Sequence, residues 1–122
     1  MIDRIKHVSI PVKDQDRALA FYTGKLGFTV TTDQAFGPGQ RWIELSLPDG
    51  SAGLVLFTPP GYEDRVGTMS NIVFTSDDLE QTYNALVERG VEFAQPLRKE
   101  PWGMSAIFYD SEGNQFALTS PN

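Results

Sequence analysis

The sequence predicts an α+β fold made of two βαβββ modules, because features of its first half recur in order in its second half. Its length of 122 residues suits one domain or two small modules. Gly27 and Gly90, which each follow an apolar helical stripe, lie 63 residues apart. The turns Asp49-Gly50 and Glu112-Gly113 have the same spacing. Matches at one spacing, in only two copies, indicate a fused pair of units and not a longer repeat array.

The first module is predicted over about residues 3–58. Runs of β-branched and alternating apolar residues predict its strands over 5–12, 28–32, 41–47 and 53–57. Between the first two strands, Asp14 is a candidate helix N-cap, and Phe21 and Tyr22 belong to an apolar stripe with helical spacing. Gly27 supplies the left-handed residue that ends this helix.

A polar stretch over about residues 59–68 is the predicted linker, and the second module follows over about residues 69–121. Its strands are predicted over 70–75, 91–94, 104–109 and 115–120. Asp77 and Glu80 form a predicted capping box at the start of the intervening helix, which Gly90 ends.

Composition and charge exclude several classes of function. The chain has 16 acidic and 10 basic residues and no cysteine. This acidic balance argues against binding to nucleic acid, because phosphate neutralisation needs a basic surface. Without cysteine the chain has no disulfide and no thiolate metal ligand. No apolar stretch is long enough for a membrane span, and the N-terminal residues lack the apolar run of a signal peptide, so we expect a cytoplasmic protein.

One face of each predicted sheet remains open after the helix covers the other, and that face can line a cavity. The period of two along a strand assigns side chains to the open face. In the first module these are His7, Ser9, Trp42, Glu44, Val55 and Phe57. In the second module they are Asn71, Val73, Ile107, Tyr109 and Ala117. A largely apolar surface with a few polar groups is typical of a site for a small molecule.

Three segments carry a resemblance to a known family. They are the strand over 5–12, the stretch over 20–28 with its Phe-Tyr and Leu-Gly-Phe motifs, and the turn Asp-Ser-Glu-Gly-Asn-Gln-Phe over 110–116. With these motifs the chain resembles the vicinal oxygen chelate superfamily, which includes glyoxalase I, extradiol dioxygenases, fosfomycin-resistance enzymes and bleomycin-resistance proteins. The resemblance spans nearly the whole chain. It implies two βαβββ modules in a half-open eight-stranded barrel, usually assembled as a homodimer.

The resemblance also implies where a metal would be held. Metal-dependent members place ligands at positions that correspond here to His7, a position near Val55, Asn71 and Ala117. Of these, only His7 is a good ligand, since valine and alanine have no donor atom and an amide oxygen is a weak one. We therefore expect no catalytic metal. A divalent metal held by His7 and Glu44 is the alternative.

These observations favour a protein that binds a small, partly apolar molecule. The predicted walls of the site are Trp42, Phe57, Trp102 and Tyr109, and the predicted orienting groups are His7, Glu44 and Asn71. One alternative is a glyoxalase-type lyase or isomerase, or a dioxygenase, that uses His7 and Glu44 with a metal or as an acid–base pair. Another is an accessory domain with a vestigial pocket. Phe36, in a Gly-Pro-Gly loop, is interpreted as a mobile lid or as a covered loop residue.

Overall fold

The computed structural model describes residues 1–121 and divides the chain into two compact units. The first unit ends at Val66 and the second begins at Gly67. Each contains one four-stranded sheet and one α-helix of six or more residues. The predicted α+β fold of two modules is therefore confirmed.

The first unit follows the order strand, helix and three strands. Its elements are β1 (His7–Ile10), α1 (Gln15–Ala20), β2 (Thr29–Ala35), β3 (Arg41–Ser46) and β4 (Gly53–Leu56). The strands are ordered β1-β4-β3-β2, with β1 parallel to β4 and the other pairs antiparallel. A short 3₁₀ helix, Glu63–Arg65, precedes the end of the unit.

The second unit repeats this order. Its elements are β5 (Met69–Thr75), α2 (Leu79–Glu88), β6 (Phe93–Glu100), β7 (Gly103–Tyr109) and β8 (Gln115–Thr119). The strands are ordered β5-β8-β7-β6, which matches the order of the first sheet. In the described chain the two sheets share no strand pairing, so the eight strands are not closed into one hydrogen-bonded barrel. No described helix is long and apolar enough to cross a membrane.

Strand alternation builds the core of the first unit. Ile43 and Leu45 of β3 and Leu54 and Leu56 of β4 are all buried on one face. The helical residue Tyr22 is fully buried, and α1 packs beside β4. Burying large apolar side chains in this way stabilises each by about 1.5–3 kcal/mol. The opposite face of this sheet carries the polar and aromatic residues described below.

The helix of the first unit differs from its prediction. The backbone N–H of Arg17 donates to Asp14 Oδ1 at 3.0 Å, so Asp14 is the N-cap. The α-helix, however, ends at Ala20 and continues as a π-helical turn over Phe21–Lys25. Gly27 then reverses the chain with a φ of 77°. The apolar stripe was correctly located, but its spacing cannot distinguish one extra residue in the last turn.

Two local predictions for the second unit were wrong. The N-cap of α2 is Asp78, not Asp77, because Asp78 accepts from the backbone N–H of Gln81 at 3.1 Å. Strand β6 extends to Glu100, well beyond the predicted end at residue 94. It runs through Pro96, which an edge strand with irregular register tolerates because one of its edges needs no hydrogen bonds.

Candidate ligand-binding site

The open face of the first sheet brings four predicted residues together. In the strand register His7 pairs with Gly53, Ser9 pairs with Val55, and Val55 pairs with Glu44. Paired residues of neighbouring strands present their side chains on the same face. His7, Ser9, Glu44 and Val55 therefore share one surface across β1, β4 and β3.

Four rings form an aromatic cluster on this surface. Trp42 lies 5.3 Å from Phe36, 5.4 Å from Phe57 and 5.3 Å from His7, measured between ring centroids. Phe36 and Phe57 also contact each other at 5.5 Å. Such pairs contribute about 0.5–1.5 kcal/mol each beyond area burial. Phe57 is buried at 8% exposure, whereas Phe36 is 52% exposed, so Phe36 is the more accessible of these two rings.

The carboxylate of Glu44 lies beside this cluster. The indole Nε1–H of Trp42 donates to Glu44 Oε1 at 3.4 Å. A Cβ atom added at Gly53 would lie 3.0 Å from Glu44 Oε2 and 3.4 Å from Glu44 Cγ. Glu44 therefore folds over Gly53, into space that exists because residue 53 has no side chain.

His7 presents a buried polar atom on the same face. Its Nδ1 is buried and has no hydrogen-bond partner among the described residues. The edge of the imidazole packs against Trp42 at an interplanar angle of 81°. A buried nitrogen without a partner costs about 1–3 kcal/mol, so a bound group that satisfies it gains that amount.

The remaining predicted site residues lie in the second unit. Val73, Ala117 and Ile107 lie side by side in the register of β5, β8 and β7. Tyr109 follows on the same face of β7, while Asn71 lies in the irregular stretch of β5. Trp102 lies in the turn between β6 and β7 and is 49% exposed.

Two residues of the first site were not predicted as binding residues. Phe36 is not a covered loop residue, because half of it is exposed, and it contacts Trp42 and Phe57, while its interpretation as a mobile lid stays a prediction. Its neighbouring Gly-Pro-Gly stretch indicated a loop but not this packing. Gly53 makes room for Glu44. The sequence feature that could have indicated this role was a glycine at the start of an apolar strand.

The first unit also has a groove of about 980 Å³ that the sequence did not indicate. Its lining includes Lys13, Gln15, Asp16, Gln40 and Arg41, and none of the four clustered rings. The Arg41 guanidinium binds Asp16 at 2.7 Å and Asp33 at 3.0 Å. The hydrogen bonds that Arg41 donates to these carboxylates, to Asp33 first and then to Asp16, raise the pKa of Arg41 above its usual range. Because its charge is already compensated, Arg41 is a poor anion receptor.

The donor set does not fit a resident divalent metal. Val55 and Ala117, at two of the positions implied by the resemblance, have side chains without donor atoms. In residues 1–121 no group of three or more His, Asp or Glu side chains is close enough to hold a metal ion. A stable site for such ions in proteins uses about three protein ligands.

Comparison with known proteins decides the family. Residues 4–118 match the model of the Glyoxalase/Bleomycin resistance protein/Dioxygenase superfamily. The chain belongs to this superfamily. The uncharacterized protein YetH of Bacillus subtilis is 32% identical over 118 residues, which cover 97% of this chain and 98% of YetH.

Solved structures agree with this assignment of the superfamily. A superfamily member from Sphaerobacter thermophilus has a TM-score of 0.87 and 33% identity, with 98% of each chain covered. TnmS3, described as an antibiotic binding protein from Streptomyces sp. CB03234, has a TM-score of 0.82 and 31% identity. That comparison covers 99% of this chain and 98% of TnmS3.

Proposed function

We propose that this superfamily member binds a small, partly apolar molecule at the aromatic cluster of the first unit, without a resident metal. The observation that carries the proposal is the mutual packing of Phe36, Trp42 and Phe57 beside the Glu44 carboxylate. Aromatic rings supply apolar contact area for a ligand, and a carboxylate orients the ligand by bonding one of its polar groups. This combination is characteristic of ligand sites.

The relatives support binding more strongly than metal-dependent catalysis. TnmS3, an antibiotic binding protein, is similar to this chain over nearly its whole length. The positions that would carry a metal include Val55 and Ala117, which do not coordinate ions. We therefore favour sequestration or transport of a ligand over a lyase or dioxygenase reaction.

We further propose that the protein works as a homodimer. Strand β5 is at the edge of its sheet and exposes 50% of Met69 and 58% of Val73. An uncovered edge strand with exposed apolar side chains tends to associate with another chain. A second copy of the chain is the partner that the resemblance implies.

A thermal-shift screen of bicyclic aromatic compounds tests the binding proposal. We expect at least one compound to raise Tm in the native protein, and the shift to vanish in Trp42→Ala. Tyr62→Ala is the matched control, because Tyr62 is 47% exposed and contacts Arg65 outside the cluster. Compounds that raise the Tm of the native protein and of Trp42→Ala equally would contradict the proposal. A screen in which no compound reproducibly shifts the Tm of the native protein would also contradict it.

A further inference from the structure

We propose that the ligand carries a protonated amine on an aromatic or aliphatic body, and that Glu44 receives the amine. This inference rests on the proposed binding site at the aromatic cluster and names the class of molecule that fits it. It follows from three features of the open face: the position of Glu44, the role of Gly53, and the hydrogen-bonding character of the surrounding groups.

Gly53 is a positioning residue for the carboxylate. It lies at the start of β4, paired with His7, and its backbone needs no left-handed conformation. Glycine weakens a strand, so its presence here is explained by the space that Glu44 occupies above it. A side chain at this position would meet Glu44 Oε2 at 3.0 Å. The carboxylate is thus held between Trp42 and the strand position next to His7.

The groups around the carboxylate all favour a positively charged hydrogen-bond donor. Among the described residues Glu44 accepts one long side-chain bond, from Trp42 at 3.4 Å, which leaves acceptor capacity on both oxygens. On the same face, the buried Nδ1 of His7 has no hydrogen-bond partner in the described part of the chain. Aromatic faces, which are electron-rich, attract ammonium groups. Arg41, on the same strand, binds Asp16 and Asp33 instead of Glu44.

Two probes that share one ring system test this inference. Naphthylmethylamine is protonated at pH 7, and naphthylmethanol is its neutral counterpart. By calorimetry at low salt we expect the amine to bind about tenfold more tightly, since a charge-assisted hydrogen bond is about twice as strong as a neutral one. Glu44→Gln should abolish the difference between the two affinities.

Two glycine variants test the positioning role. Gly53→Ala should weaken the preference for the amine, because the added Cβ would lie 3.0 Å from Glu44 Oε2 and the carboxylate must shift slightly to accommodate it. Gly24→Ala is the matched control, since a Cβ at Gly24 meets nothing within 4 Å, and it should keep the full preference. Urea unfolding of each variant checks that the fold is retained.

The possible outcomes separate the two proposals. Equal affinities of the native protein for amine and alcohol would overturn the amine inference, while binding of both that depends on Trp42 would still support the proposed function. Failure of both probes and of the wider screen would overturn the proposed function and the amine inference together. An undiminished amine preference in Gly53→Ala would overturn the positioning role of Gly53, and a preference that survives in Glu44→Gln would overturn the role of Glu44.

Discussion

At the scale of single residues, Thr58 illustrates how one side chain fixes the chain near the site. Its Oγ1 accepts from the Val12 backbone N–H and donates to the Val12 carbonyl, both at 2.8 Å, and Thr58 is only 5% exposed. Thr58→Val keeps the shape but leaves both backbone groups unsatisfied. We expect unfolding free energy to fall by about 1–3 kcal/mol in urea titrations.

Thr29→Val is the control for this substitution, because Thr29 is exposed on β2 and valine suits a strand. It should change stability by less than about 0.5 kcal/mol. Equal effects of the two variants would show that the bonds of Thr58 contribute nothing specific.

The positions of single residues in the site could be predicted only where the alternation of side chains along a strand determines them. Alternation along β1 and β3 correctly assigned His7 and Glu44 to one face, because successive side chains of a strand must point to opposite sides. The role of Gly53 could not be predicted, since it depends on how the Glu44 side chain folds across a neighbouring strand. The position of Phe36 depends on loop conformation, which no period describes.

At the scale of elements, the β6–β7 pair contains an ion pair with a pH-dependent consequence. The Arg98 guanidinium hydrogen-bonds Glu100 and holds the pKa of that carboxyl below its ordinary value of 4.5, with a smaller contribution from Ser105. Because the folded-state pKa is lowered, the contribution to stability is complete above about pH 4.5 and is lost as pH falls through the lowered value.

We therefore expect Glu100→Gln to lower the urea midpoint by a constant, small amount between about pH 5 and 7. Below about pH 4.5 the difference from the native protein should shrink. A difference that is independent of pH down to pH 3 would contradict the assignment.

Element boundaries were less predictable than element types. The apolar content of residues 91–94 indicated a strand, but β6 continues through Pro96 to the polar residues near Glu100. Pairing with β7 supplies the hydrogen bonds that sustain this polar half, and sequence patterns do not record pairing. The cap of α2 differs by one residue for a similar reason, since Asp77 and Asp78 are chemically equivalent candidates.

At the scale of the whole molecule, the proposed dimer makes a prediction about mass. Sedimentation should give twice the chain mass of 13.5 kDa. Met69→Glu places a charge on the exposed edge of β5 and should yield the mass of a single chain. Val87→Glu, at an equally exposed position on α2, should remain dimeric. A native protein with the mass of one chain would contradict the dimer.

Duplication made the fold of the whole molecule predictable from sequence. The 63-residue spacing between Gly27 and Gly90 marks equivalent helix ends, and both residues adopt a left-handed backbone, with φ of 77° and 86°. Two units with the same strand order follow from that repetition. The single histidine and the residues at the implied ligand positions led to the expectation of no catalytic metal. The aromatic cluster, by contrast, could be recognised only in the packed structure.

The central claim is that ligand binds against Trp42, and the indole N–H resonance of Trp42 tests it most directly. Titration with naphthylmethylamine or naphthylmethanol, followed by ¹H–¹⁵N correlation spectra, observes this group without labelling the ligand. Trp42→Phe assigns its signal among the two indole resonances. We predict a saturable shift of the Trp42 signal, because its N–H donates to Glu44 within the cluster. Saturable binding that leaves this resonance unmoved would contradict the account.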